Sequence, residues 1–328
     1  KFKTGDFIFT PGLTLHNYNV ANEQLGTDER QNDWWLLPDF NAIWEIKQSE
    51  SLRFNYAMSA QYTDVNNFAE AYIFNNYNRL FRGNRFLENS ISHQLSLNYF
   101  SFNLFNNTSL NGAVSYTKRI EGIKTNGVIV SINQVSRPEN ISSNFPDQTF
   151  TAFGSFSKRI KKMQFRLGAN VNLSESYNIV NQRVQRSDNF GQNYNFSVRS
   201  SFREWPNFEV GYRVNVNQYD NGGFTQTFYT QQRFFNVDVN FLKNFTLTAT
   251  WDFYDYTNDD NTIENDYSFL DATLYYRKGE SPWEFSVQAT NILDTEFLNN
   301  DSTTDQFFTT NQFFVLPRIV LLTVRYEL

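Results

Sequence analysis

The sequence predicts an all-β fold, an antiparallel transmembrane β-barrel with about fourteen strands in this chain. Three observations predict it. Apolar and polar residues alternate with period two from one end to the other, as side chains on a strand point to opposite faces. The alternating units recur about every ten residues and are joined in turn by short and long connections, the pattern of an outer-membrane barrel. Aromatic residues make up 18% of the chain, Phe alone occurs 35 times, and they collect beside the short connections. A ring placed there straddles the apolar and wet layers of a membrane interface.

The clearest alternation lies at the end of the chain. Trp283, Phe285, Val287 and Ala289 oppose Glu284, Ser286, Gln288 and Thr290. In the final stretch, Gln312 to Leu328, Leu322, Val324, Tyr326 and Leu328 oppose Thr323, Arg325 and Glu327. From the start of the chain, Phe7, Phe9, Pro11, Leu13 and Leu15 share the first strand's outward face, and a polar connection is expected from Tyr18 to Asp33. Phe40–Ile46 and Leu52–Ala60 give the next two strands, joined by a short turn at Lys47. A long connection from Thr63 to about Ser90 follows, then strands over Ile91–Tyr99 and Leu110–Tyr116.

Another long connection, Arg119 to Asp147, carries a β-like patch at Val128–Ile132. Strands then follow over Phe150–Phe156, Phe165–Leu173, Tyr194–Phe202, Phe208–Val216, Phe235–Phe241, Phe245–Phe253 and Leu270–Tyr276. Short turns fall at Lys161, Trp205, Lys243 and Lys278, and long connections at Tyr177 and Asp294. Trp44, Tyr99, Phe156, Phe165, Phe202, Phe208, Phe241, Phe245, Tyr276, Trp283 and Tyr326 would form a girdle on the short-turn, periplasmic side.

Composition narrows the function classes. The net charge is −6 and no basic stripe is present, which argues against nucleic-acid binding. With no cysteine, a disulfide framework, a thiolate zinc site and a thiol nucleophile are excluded. His16 and His93 have no neighbouring ligand, and the acidic loop Asp259-Asp260-Asn261 with Glu264 and Asp266 does not fit an EF-hand spacing. No Ser-His-Asp arrangement is readable, so no enzyme and no cofactor are expected. Residues 1–328 read as one domain, and the start at Lys1 without a leader pattern reads as a mature form or a fragment.

The inward face carries Asn, Ser, Thr, Gln, Arg, Asp and Glu, which implies a wet interior or one lined against a polar plug. Four segments resemble the TonB-dependent outer-membrane receptor family: Phe9-Thr10-Pro11-Gly12-Leu13, Arg82-Gly83-Asn84-Arg85-Phe86-Leu87-Glu88-Asn89-Ser90, Ala289-Thr290-Asn291-Ile292-Leu293-Asp294, and Leu316-Pro317-Arg318 before the last strand. Arg85 stands where that family usually has Pro, and Leu328 where it usually has Phe. The resemblance implies the C-terminal part of a twenty-two-strand barrel in the cell outer membrane. It also implies a plug domain, the remaining barrel strands and an inner-membrane energy-coupling complex as partners, beside outer-membrane lipid, with room for a surface-exposed lipoprotein. The implied role is import of a scarce large solute. A complete fourteen-strand passive channel and a non-transporting secretion or assembly scaffold are the alternatives.

Two groups of residues are candidates for solute binding. Tyr77, Arg79, Phe81 and Arg82 mix aromatic and cationic chemistry in a long, extracellular connection, where loop-to-loop packing is the competing reading. Arg166, Arg199 and Arg213 face inward from consecutive strands and would form a basic strip.

Overall fold

A computed structural model describes residues 1–203, 206–303 and 308–327. Trp205, at the centre of one expected turn, and Leu328 lie outside the described residues. The period-two pattern produces strands almost everywhere. They are β1 (Phe2–Thr4), β2 (Phe7–Gln24), β3 (Thr27–Lys47), β4 (Glu50–Gln61), β5 (Tyr72–Asn76), β6 (Arg79–Arg82) and β7 (Ser90–Asn103). Next come β8 (Thr108–Ile120), β9 (Ile123–Val130), β10 (Asn133–Asn140), β11 (Asp147–Ile160), β12 (Met163–Val180), β13 (Arg183–Ser200) and β14 (Asn207–Asp220). The chain ends with β15 (Thr225–Phe241), β16 (Phe245–Asn258), β17 (Glu264–Arg277), β18 (Trp283–Thr290), β19 (Phe297–Thr303), β20 (Phe308–Phe314) and β21 (Ile319–Tyr326). One four-residue 3₁₀ turn, Val65–Phe68, is the only helical element among the described residues.

Strands β2, β3, β4, β7, β8, β11 to β18 and β21 form one antiparallel meander in that order. Register fixes the two faces. Phe165, Val198 and Val210 lie in one cross-strand row, and Leu167, Phe196 and Tyr212 in the next on the same face. The opposite face carries the row Asn170, Asn193, Asn215 and Thr230. On the apolar face Leu97, Val114, Leu167, Phe196, Val210, Trp251 and Val287 are all exposed, so no second layer of this chain covers them.

No ladder joins β2 to β21 among the described residues. The second edge of β2 pairs only with the three-residue β1, and β21 pairs only with β18. All eight residues of β21 are exposed.

Aromatic contacts run along the short-turn rim. Phe7 stacks on Trp44 at 5.4 Å, Phe241 on Phe245 at 5.4 Å, Phe245 meets Tyr276 at 4.8 Å, and Trp283 meets Tyr326 edge-on at 4.8 Å. These are pairs across adjacent strands, the unit from which sheet side-chain energy is built.

Several expected boundaries move. The polar stretch Tyr18–Asp33 is no loop: β2 and β3 stay paired through it and turn at Leu25-Gly26, both with positive φ (54° and 75°). The connection placed at Tyr177 is likewise the tip of the β12–β13 hairpin, turned at Asn181-Gln182. Paired positive φ values match the right-handed twist of hairpin strands. The stretch Gln312 to Leu328 is not one strand. Residues up to Phe314 belong to the β19–β20 hairpin, and β21 begins at Ile319, after Pro317. The patch at Val128–Ile132 ends as strand at Val130, because Ser131 takes φ 58°.

A group of well-buried side chains lies at the long-loop end. Leu87 is 1% exposed, and Phe68, Ile141, Asn84 and Asn89 are also buried. Here β6 pairs in parallel with β10, β10 pairs with β9, and β9 pairs in parallel with β12, so two long connections extend the main sheet through the β12 tip.

Candidate functional site on the polar face

The two candidate groups occupy different places. Tyr77 sits in the turn between β5 and β6 and is 80% exposed. Arg79 and Phe81 lie on β6, opposite Gln134 and Ser136 of β10, and the Gln134 N–H donates to the Asn78 carbonyl at 2.8 Å. The Arg82 guanidinium stands over the Tyr72 ring, 5.6 Å from its centre. The segment is thus loop packed on loop, with Tyr77 and Arg79 turned to solvent.

Behind it, Gly83 to Ser90 closes a joint. A Cβ at Gly83 would come within 2.5 Å of the Ala69 and Asn67 carbonyl oxygens. Asn84 donates to the Pro138 carbonyl at 3.2 Å. Arg85 donates to Glu70 at 2.6 Å, to the Gln24 carbonyl at 3.4 Å, and to the Thr27 hydroxyl. Arg85 therefore ties the β2–β3 tip to the connection that follows β4.

Arg166, Arg199 and Arg213 do share the polar face, but they form no continuous basic strip. Arg166 is paired with Glu209 at 3.5 Å and donates to Gln164 at 3.3 Å. Arg199 lies near the short-turn end, in a recess of about 510 Å³ that also takes Arg159, Lys162, Arg203 and Asp238. Arg213 belongs to a separate cluster higher up the wall.

That cluster spans β14 to β17. Arg213 Nη1 donates to Gln232 Oε1 at 2.9 Å, and its guanidinium lies 4.5 Å from the centre of the Phe234 ring. Gln232 Nε2 donates to Asp252 Oδ1 at 2.7 Å and to Tyr254 Oη at 2.9 Å. Tyr254 stacks on Tyr267 at 5.4 Å and meets Phe269 edge-on at 6.4 Å. Phe234, 7% exposed, lies flat because position 211 is glycine; a Cβ there would overlap the ring. Cation–π contact and a charge-assisted hydrogen bond together hold Arg213 in one orientation.

Sequence reasoning found Arg213 and missed Gln232, Phe234, Asp252, Tyr254, Tyr267 and Phe269. The signal was present in parity. Phe234, Tyr254, Tyr267 and Phe269 are aromatic at positions whose neighbours two residues away are Asn236, Asp252, Asn265 and Asp271. Rings on the polar face, away from the rim, break the rule that a polar wall is polar throughout.

No protein-family profile matches the sequence, and no curated protein matches it. Among solved structures, the chain is similar to the toluene transporter TodX of Pseudomonas putida at 7% identity and a TM-score of 0.27, over 90% of this chain and 83% of that one.

Proposed function

We propose that the chain is the barrel portion of an outer-membrane transport protein of the TonB-dependent receptor type, which imports a scarce large solute through a polar interior. One observation carries the membrane reading: large apolar side chains stay exposed along one face of a meander whose other face is amide- and charge-bearing. In water such a continuous apolar surface drives association, whereas in lipid it is the required surface. The aromatic contacts at the short-turn rim agree with a membrane-interface girdle.

The larger barrel is supported by the edges. An unpaired strand edge facing hydrocarbon leaves N–H and C=O groups unsatisfied at several kcal/mol each. With β2 and β21 unjoined, further strands completing the wall suit the chain better than a fourteen-strand channel. The energy-coupled mode rests on the four motif resemblances, among which the Gly83–Ser90 joint has a clear structural task.

The test is fractionation of the native source followed by the denatured mass of the intact polypeptide. Outer-membrane recovery with a mass far above 38.6 kDa is expected. A mass near that value, or recovery in the soluble fraction, overturns the reading.

A further inference from the structure

We infer that the Arg213–Gln232–Asp252–Tyr254 cluster, with Tyr267 and Phe269, is a binding platform for a neutral polyhydroxylated ring solute, that is, a carbohydrate. This deepens the transport reading and rests on it, because the platform faces the interior only if the polar face does.

The chemistry of the wall selects the class. A sugar ring has an apolar C–H face and a rim of hydroxyls, each both donor and acceptor. Tyr254, Tyr267 and Phe269 supply adjacent aromatic surface in contact with one another at 5.4–6.4 Å. Beside them Gln232 occupies one Asp252 oxygen, Oδ1, and one Arg213 nitrogen, Nη1, and so orients both groups. Among the described residues, Asp252 Oδ2 and the other guanidinium N–H groups remain as a charged acceptor and charged donors on nearby strands. That pairing suits a vicinal diol, in which one hydroxyl donates and the next accepts.

The surroundings argue for a neutral solute. The polar row Asn170, Asn193, Asn215 and Thr230 leads from β12 to the cluster, and its three asparagines are exposed. Amides offer both donors and acceptors without selecting a charge. A flat apolar ligand would desolvate Asp252 Oδ2 and the remaining Arg213 N–H groups without bonding them, which sites built to hydrogen-bond reject strongly. Aromatic surface with a few oriented polar groups is the usual make-up of a small-molecule site.

The experiment uses the full-length protein, purified from its native membrane in detergent, on an array of neutral gluco-, galacto-, manno- and xylo-oligosaccharides. Binding to at least one array member is expected. Tyr254→Ala should weaken that binding at least tenfold and Arg213→Gln at least fivefold, with heat-modifiable gel migration showing that each variant is folded. If Tyr254→Ala does not assemble, Tyr254→Phe keeps the ring and should still lose several-fold through the hydroxyl. Binding that is unmoved by these substitutions, or a folded wild-type protein that binds no array member, overturns the inference. A protein absent from the outer membrane sinks the transport reading instead, so the two failures are distinguishable.

Discussion

Arg85 and Glu70 form an ion pair, Nη2 to Oε2 at 2.6 Å, with both side chains withdrawn from water at 8% and 13% exposure. The pair sits where three chain segments meet: the β2–β3 tip through Gln24 and Thr27, the connection after β4, and the approach to β7. Removing one partner leaves the other charge buried and uncompensated, at about 3–5 kcal/mol. Glu70→Ala should therefore release this joint while the meander persists. Limited proteolysis should show new cleavage within residues 62–90, with heat-modifiable migration unchanged; protection equal to wild type would refute the assignment.

Gly83 makes a sharper steric test of the same joint. Its missing Cβ is the space that the Ala69 and Asn67 carbonyls occupy. Both obstacles are backbone and cannot rotate away. Gly83→Ala should destabilise the local fold by about 1–3 kcal/mol. Hydrogen exchange at Gly83 and Asn84, whose N–H groups donate to those carbonyls at 2.7 Å, reads the effect directly.

Facing can be tested on β13 alone. Phe196 is on the apolar face opposite Leu167 and Tyr212, and Asn193 is exposed on the polar face opposite Asn170 and Asn215. A midplane arginine on the lipid side costs about 2–4 kcal/mol. Phe196→Arg should impair membrane assembly and Asn193→Arg should not. Equal assembly of the two would reverse or abolish the facing.

Asp220 is the last residue of β14, at the loop to β15, and holds the turn that follows. Its carboxylate accepts from the Gly222 N–H at 2.7 Å and from the Thr225 hydroxyl at 2.9 Å. The Gly222 bond first, then the Thr225 bond, hold its pKa below the usual carboxylate value. A depressed folded-state pKa gives stability that is present above the unfolded value, about 3.9, and is lost as pH falls through the folded one. The 220–225 turn should keep its amide protection at pH near 4 and loosen only below it, whereas Asp220→Asn should flatten the acid dependence. Hydrogen exchange across residues 221–225 measures both.

Position 211 controls the platform from beneath. Gly211→Val would displace the Phe234 ring and with it the surface on which Arg213 rests. The added side chain also meets the Phe196 carbonyl oxygen at 2.8 Å, so part of the variant should fail to assemble, while in the assembled fraction solute binding at the cluster should fall several-fold. Calorimetry against the bound solute, with gel migration as the folding control, separates the two effects.

The sequence by itself determined the strands that carry a one-sided environment. Phe165 to Leu173, Phe208 to Val216 and Phe245 to Phe253 alternate because one side meets an apolar medium and the other a polar one, and all three are paired strands. Alternation reports surroundings and not backbone state, so it vanished where both faces are polar. Tyr18–Asp33 and the β12–β13 tip therefore looked like loops, although their ladders continue without a break. Only the tertiary structure decided which residues meet across strands. Arg166 with Glu209, Arg85 with Glu70 and Arg213 with Gln232 are separated in sequence by 43, 15 and 19 positions. Their partnership is a matter of register and loop docking, quantities that period-two patterning constrains only by face. The same holds for the platform: parity could place Tyr254 and Tyr267 on one side, but only the ladder between β16 and β17 set them directly opposite each other.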